Sequence, residues 1–404
     1  MIPREHYLER IRPFVDQDLI KVITGVRRSG KSILLELIKL ELLSKGIQPN
    51  QFISYNFEDL TYAPLCTAKA LHEELSLRIQ ALEEKAYLFL DEIQEVQEWE
   101  KCVNSLRVRF SCDIYLTGSN AQLLSGELAT YLAGRYVEFV VYPFSLAEFS
   151  MAYLQSKMNA SASEVFSQYL QLGGMPYLHN LHYETSPSRQ YLFDVYNSVV
   201  LKDIVKRNNV RDIDLLERII HYVSTNTGQT FSATAISKYF KSENRNVSAE
   251  TILNYLKYCE HAFLFFPVQR HDLVRKKILS VQDKYCLVDH GIRDAVWGGG
   301  SRDIHLVLEN IVYMELLRRG YSITVGKIGE REIDFVGEKR GNRVYIQVTY
   351  LLASPETIER EFGVYAQVND HFPKYVLSMD ELDMSRNGIK HKNIREFLLQ
   401  PNWE

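Results

Sequence analysis

The chain lacks paired cysteines, long apolar runs and any surplus of positive charge, and each absence removes a class of protein. Its five cysteines (Cys66, Cys102, Cys112, Cys259 and Cys286) are far apart with no C-x-x-C among them. Neither a disulfide framework nor a zinc site is suggested, and a reducing compartment fits. Apolar runs such as "AFLFFPV" are far short of a membrane span, and the opening "MIPREHYLERI" carries no signal-peptide core. The expectation is a cytoplasmic protein with no membrane contact. A net charge of −4 argues against a globally basic nucleic-acid coat and leaves local patches for such contacts. What is present is the composition of a folded chain, 46% hydrophobic and 24% charged. Its 404 residues exceed one hydrophobic core and, at about 150 residues per domain, make roughly two or three units.

From Leu19 the sequence reads "LIKVITGVRRSGKSILLELIKLELL": an apolar strand, the pattern G-x-x-x-x-G-K-S, then a helix. Gly25 and Gly30 let the backbone curl into a nest of N–H groups at a helix N-terminus, which suits a polyphosphate. Gly25, Arg27, Arg28, Ser29, Gly30, Lys31, Ser32 and Ile33 are therefore assigned to a nucleotide, with ATP and Mg²⁺ as the expected ligands. In this pattern Lys31 reaches the β- and γ-phosphates and the Ser32 hydroxyl binds Mg²⁺. Downstream, "AYLFLDEIQ" is a buried-type strand ending in Asp91, placed to hold the magnesium shell, and Glu92, placed to polarise the attacking water. A further strand, "CDIYLTGSN", ends at Asn120, which either meets the water or γ-phosphate or caps the helix "AQLLSGELATYL". Another strand follows Gly134 and Arg135, where Arg135 reads either as an arginine finger in a neighbouring subunit's site or as a surface ion-pair partner.

The set "GVRRSGKS", "LFLDEIQ", "LTGSN" and "LAGRYVEF" resembles the AAA-type P-loop ATPases of bacteria and archaea that carry a C-terminal region of uncharacterised function. The resemblance spans essentially the whole chain, because "YLQLGGMPYL" and "LENIVYMELLRRGY" also resemble that family's later motifs. It implies a sheet in which the "LTGSN" strand lies between the two Walker strands, with Asn120 as a sensor. It also implies Arg135 as a finger acting in trans, and so a homo-oligomer. The pair Arg27 and Arg28 is typical of the family, adding charge beside the phosphates or serving a subunit contact. The family counterpart of Gly173-Gly174-Met175-Pro176 packs near the nucleotide; on its own the stretch is a helix C-cap followed by proline.

The expected fold class is α/β: a P-loop AAA-type parallel sheet over 1–150, a helical lid over 151–208, a winged helix-turn-helix over 209–297 and a restriction-endonuclease-like α/β domain over 298–404. In the winged helix, Ser248 starts the third helix, and Lys238, Lys241, Arg245, Arg270, Arg275, Lys276 and Lys277 are available to neutralise phosphates. In the last domain, Glu309 and Asp334 stand where an active nuclease has its first two acids. Gln347 and Thr349 replace the next acid and the lysine, so metal-dependent cleavage is not expected. The plainer reading is that Glu309 caps or pairs on a surface helix and Asp334 holds the strand end. The function expected is MgATP turnover coupled to conformational work on nucleic acid, through the winged helix and C-terminal domain, or on a partner protein. The alternatives are a nucleotide-dependent switch or scaffold with slow hydrolysis, and an ATP-regulated nuclease.

Overall fold

The computed structural model describes the chain except residues 122–131, 276, 299–302, 402 and 404, and the side chains of 279–282. Most of the helix expected from Ala121, the glycine-rich boundary after Trp297, and Lys276 therefore lie outside the described residues. The chain divides into two compact units, one of Met1–Tyr142 with His261–Phe263, the other of Pro143–Glu260 with Leu264–Glu404.

In the first unit, β1 (Ile20–Thr24), β2 (Phe52–Asn56), β3 (Ala86–Asp91), β4 (Cys112–Gly118) and β5 (Tyr136–Val140) form a parallel sheet in the order β2-β3-β4-β1-β5. The strand between the two Walker strands is β4, as the resemblance implies. Every residue of β1 and β3 is buried, the continuous burial of strands covered on both faces. Helices α1 (Glu5–Ile11), α2 (Lys31–Ser44), α3 (Ala68–Gln80) and α4 (Trp99–Arg109) accompany the sheet. Leu34, Leu35, Ile38 and Leu42 of α2 pack with Ile23, Phe89, Tyr115 and Phe139. Leu71, Leu75, Val103 and Leu106 of α3 and α4 pack with Val22, Leu88, Leu90 and Leu116. Thr24 is paired with Gly118, so the C-terminal ends of β1 and β4 reach one edge together, and the loop after β1 opens there.

The second unit begins with α5 (Leu146–Ser156), α6 (Ala162–Leu172) and α7 (Thr185–Ser198), which runs on as a π-helix over Val199–Lys206. Then come α8 (Ile213–Thr225), β6 (Thr230–Phe231), α9 (Ala233–Ser242), α10 (Ala249–His261), β7 (Phe265–Asp272), β8 (Lys277–Leu287) and α11 (His290–Trp297). The chain ends with α12 (Ile304–Arg318), β9 (Ser322–Ile328), β10 (Arg331–Lys339), β11 (Asn342–Val348), α13 (Pro355–Gly363), β12 (Lys374–Ser378), β13 (Lys390–Asn393) and α14 (Ile394–Leu399). Ser248 Oγ accepts the Thr251 N–H at 3.0 Å, the N-cap read from the sequence.

Contacts cross two of the expected boundaries. The break at 150 lies inside the second unit, because Phe144 N–H donates to Gly174 O at 2.6 Å and ties the start of that unit to the end of α6. Nor is 297/298 a break in the sheet: β7 pairs in parallel with β9, Arg270 opposite Val325. One eight-stranded sheet, β13-β12-β11-β10-β9-β7-β8-β6, runs across it.

The Gly173-Gly174 stretch makes a joint with the start of α11. Asp289 accepts N–H groups from Gly174 at 2.7 Å, Gly291 at 2.9 Å and Ile292 at 3.2 Å. Gly173 has φ +73°, and a Cβ there would collide with Asp289 Oδ1. Gly298 has a similar φ, +75°, with nothing within 4 Å. Gly173→Ala is therefore expected to cost about 1–3 kcal/mol and Gly298→Ala distinctly less. Thermal melts showing equal losses would mean that backbone strain alone, and not the joint, sets the requirement for glycine at 173.

Candidate functional site

The loop between β1 and α2 is built by its glycines and held from behind. Gly25 has φ +139°, and a Cβ there would run into Val141 O, so only glycine lets the loop leave β1 beside the end of β5. Arg28 at φ +68° and Gly30 at φ +97° complete the curl, with Gly30 as N-cap of α2. Backbone N–H groups at a helix N-terminus are the donors a phosphate needs. Arg4 supports the loop from the other side. It is buried (3% exposed) and donates from Nη1 to Ser29 O at 3.1 Å and from Nη2 to Tyr142 O at 2.8 Å. The sequence reading missed this residue, since nothing in "MIPREHY" marks a contact 25 residues onward.

Lys31 is buried, with Nζ donating to Gly25 O at 3.1 Å and Val26 O at 3.2 Å and lying 3.9 Å from Glu92 Oε1. Asp91 and Glu92 follow at the end of β3 and are joined through Thr117 of β4. The Thr117 hydroxyl donates to Asp91 Oδ1 and accepts the Glu92 N–H at 2.9 Å. Asn56 Nδ2 donates to Asp91 Oδ2 at 3.1 Å, and the nearby Ser32 hydroxyl favours the ionised Asp91 carboxylate. Thr117 and Asn56 were not singled out in the sequence; both sit at strand ends whose neighbours only the sheet order reveals.

The two acids are tuned in opposite directions. Burial raises Asp91 above the usual carboxylate range, and the bonds from Thr117 and Ser32 offset only part of this. Burial also pushes Glu92 upward, but Lys31, Gln94, Ser119 and Arg27 together overcome it and hold Glu92 below its ordinary value. The Ser119 hydroxyl lies within hydrogen-bond distance of both Glu92 oxygens, at 2.9 and 2.8 Å, and Gln94 Nε2 donates to Oε2. Glu92 has φ +54°, a left-handed conformation that costs about 1–3 kcal/mol in a non-glycine residue and clusters at functional sites.

The other sequence-named residues are placed as follows. Asn120 is buried (1% exposed) directly after Ser119, at the edge where β4 ends. Arg27 pairs with Glu58 at 2.8 Å, Arg28 is exposed, and Ile33 leaves its side chain 47% exposed. Arg135 stands at the other end of the sheet. Its carbonyl accepts the N–H of Ile20, the first residue of β1, and its guanidinium donates to Asn104 Oδ1 at 2.9 Å. Five strand residues at about 3.3 Å each separate it from the phosphate loop of its own chain.

The chain matches the AAA domain family over residues 17–150 and a domain of unknown function over 163–303. It is 38% identical over 402 residues to an uncharacterized protein of Haemophilus influenzae, spanning 99% of each chain. The chain belongs to the AAA-type P-loop ATPases. A second relative, an uncharacterized protein of Methanocaldococcus jannaschii, is 29% identical over 362 residues, 86% of this chain and 78% of that one. The fold is similar to that of a Walker-type ATPase of Pyrococcus abyssi, with a TM-score of 0.52 at 15% identity, covering 73% of this chain and 95% of that one. Among the described residues of this AAA-type ATPase, no helix is long and apolar enough to cross a membrane.

Its second unit brings Glu309 and Asp334 together around a lysine, not as a bare pair. Helix α12 is buried rather than on the surface, and Glu309 on it is 8% exposed. Lys284 of β8, 3% exposed, is hydrogen-bonded to Glu309 Oε1, with its Nζ 3.8 Å from Asp334 Oδ1. The expectation that this centre has no lysine is corrected: Thr349, just past the end of β11, supplies none, yet Lys284 enters from the neighbouring hairpin. Two further expectations change, because Arg245 is bonded to Asp212 and Asp214, and Arg270 is buried against Glu332. Both charges are already paired, whereas Lys238, Lys241, Arg275 and Lys277 are exposed.

Proposed function

We propose that the protein hydrolyses ATP at the edge formed by β1, β3 and β4 and couples turnover to conformational work on nucleic acid or a partner protein. The observation that carries this reading is the Glu92 carboxylate. It is buried, held by Ser119 and Gln94, and kept ionised beside Lys31. Such a group is ready to accept a proton from water directed at the γ-phosphate, because the base needs no deprotonation at neutral pH. Lys31 balances phosphate charge, the loop N–H groups cradle the phosphates, and Asn120, beside Ser119, positions the water or the γ-phosphate. Ser32 and Asp91 fit a magnesium ion: a hydroxyl and a carboxylate close enough to influence each other are the few oxygen ligands Mg²⁺ takes from protein when substrate phosphates supply the rest. When bound there, Mg²⁺ neutralises charge on the β- and γ-phosphate oxygens.

Arg135 is the finger of a neighbouring subunit in this reading, since its own phosphate loop lies at the far end of β1. The protein then works as a homo-oligomer. In the second unit, α8, β6, α9, α10, β7 and β8 follow the order of a winged helix-turn-helix. Its exposed Lys238, Lys241, Arg275 and Lys277 give a local basic surface on a chain of net charge −4.

The test is ATP turnover measured with single-stranded DNA, duplex DNA and RNA across a salt series. Stimulation of several-fold that fades with salt supports work on nucleic acid, whereas a protein that consumes no ATP overturns the proposal. Mixing Arg135→Ala with Glu92→Gln protomers is expected to recover turnover that neither shows alone, because one supplies the finger and the other the base. No recovery in a mixed oligomer would remove Arg135 from the site.

A further inference from the structure

We propose that Lys284 is a built-in cation standing where a divalent metal would bind in the nuclease-like centre of the second unit, so that this centre is a metal-free lock between β8, α12 and β10. This inference is independent of the ATPase reading.

A metal in such a centre would have to lie between the carboxylates of Glu309 and Asp334, with ligand oxygens at about 2.0–2.6 Å. The Lys284 ammonium already occupies that position, in contact with Glu309 and 3.8 Å from Asp334 Oδ1, its side chain 3% exposed. It also lies 5.3 Å from the ring centroid of Phe335, an aromatic face that attracts a cation. Two further oxygens are spent on backbone. Asp334 Oδ2 accepts the Val348 N–H at 2.8 Å, and Gln347 Oε1 accepts the Asp334 N–H at 3.2 Å. Gln347 thus turns its only ligand-type atom toward the chain. Among the described residues, no group of three or more His, Cys, Asp and Glu is arranged to hold a metal ion.

Charge at the centre is already largely answered. Glu309 and Asp334 share Lys284, Glu332 is answered by Arg270, and Glu361 on α13 is paired with Arg360 at 2.7 Å, which leaves one net negative charge in place of the two that Glu309 and Asp334 alone would present to a metal. A divalent ion added beside Lys284 would meet like charge at close range, which is strongly unfavourable in a buried site. The lock has a mechanical consequence as well. Asn310, next to Glu309, accepts the Leu287 N–H at 2.8 Å and donates to Leu287 O at 3.0 Å. Helix α12 therefore grips β8 by an amide and an ion pair on successive residues, and the hairpin cannot swing away from α12 without stranding a buried lysine.

The experiment uses nucleotide-free full-length protein titrated with Mn²⁺, followed by electron paramagnetic resonance and thermal melting. The parent is expected to hold no Mn²⁺ that depends on Asp334. Lys284→Ala is expected to gain one Mn²⁺ per chain, lost again on adding Asp334→Asn. Near-saturating Mn²⁺ should raise its Tm by about 5 °C or more while leaving the parent unmoved. Should Lys284→Ala not fold, Lys284→Met keeps the volume and removes the charge. It should melt well below the parent, and Lys284→Met combined with Glu309→Gln should recover part of the loss. Two results overturn the proposal: Mn²⁺ bound by the parent and lost with Asp334→Asn or Glu361→Gln, which would make this a true metal centre, or Lys284 variants as stable as the parent that gain no Mn²⁺.

Discussion

Replacing Glu92 with Gln is expected to lower ATP turnover roughly 100- to 10,000-fold, the usual contribution of a positioned general base, while nucleotide affinity changes little. The split follows from the geometry. The amide keeps the size of the side chain, and one oxygen still accepts the Ser119 hydroxyl, so the loop and Lys31 keep their places. What is lost is the negative charge that Lys31, Gln94, Ser119 and Arg27 sustain against burial. Because Glu92 sits below the ordinary carboxylate value and Asp91 above it in the metal-free protein, the acid side of the parent's kcat/KM profile, which reports the free protein, should follow Asp91. MgATP binding should weaken as Asp91 protonates, while Glu92 is still ionised. Measuring kcat and nucleotide affinity separately across pH checks both points. A Glu92→Gln protein that hydrolyses ATP at the parent rate would remove Glu92 from the mechanism.

The parts legible in the sequence are those whose meaning is local. The phosphate loop declares itself because strand, glycines, Lys31, Ser32 and helix are consecutive, and Asp91-Glu92 because a buried strand runs straight into them. The Ser248 cap is local in the same way. What could not be read depends on which strands become neighbours. Thr117 is an ordinary strand residue until β4 lies beside β3, where its one hydroxyl serves both acids. Arg4 is an ordinary basic residue until α1 brings it behind the loop. Lys284 sits in a hairpin that the sequence assigns to a different domain, and only the β7–β9 pairing carries that hairpin into the sheet of Asp334. The errors about Arg245 and Arg270 have the same origin: a basic residue counts toward a nucleic-acid surface only if the fold leaves its charge unpaired.

At the opposite edge of the ATPase sheet, Asp113→Ala should cost about 3–5 kcal/mol, the penalty for stranding one member of a buried ion pair. Lys21 and Asp113 are both fully buried, on adjacent strands β1 and β4, and are hydrogen-bonded to each other. Lys21 Nζ also donates to Leu19 O at 2.8 Å and lies 4.9 Å from the Tyr115 ring centroid. Asp113 Oδ2 accepts the Asp16 N–H at 3.0 Å and the Tyr115 hydroxyl at 2.9 Å. Burial lowers the Lys21 pKa, and Asp113 opposes that. Removing Asp113 therefore drops the lysine further. The sign follows: a buried lysine with a depressed pKa carries its full penalty below that pKa and is relieved as pH rises through it. The deficit of Asp113→Ala should be largest at neutral pH and shrink toward alkaline pH. Pairing it with Lys21→Met removes the stranded charge, so the double variant should be more stable than Asp113→Ala alone, and a double-mutant cycle reads the coupling. If the double variant were instead less stable, by the sum of the two single losses, the pair would contribute nothing to holding β1 against β4, and the alignment of the phosphate loop with the ends of β3 and β4 would have to rest on the apolar contacts of those strands alone.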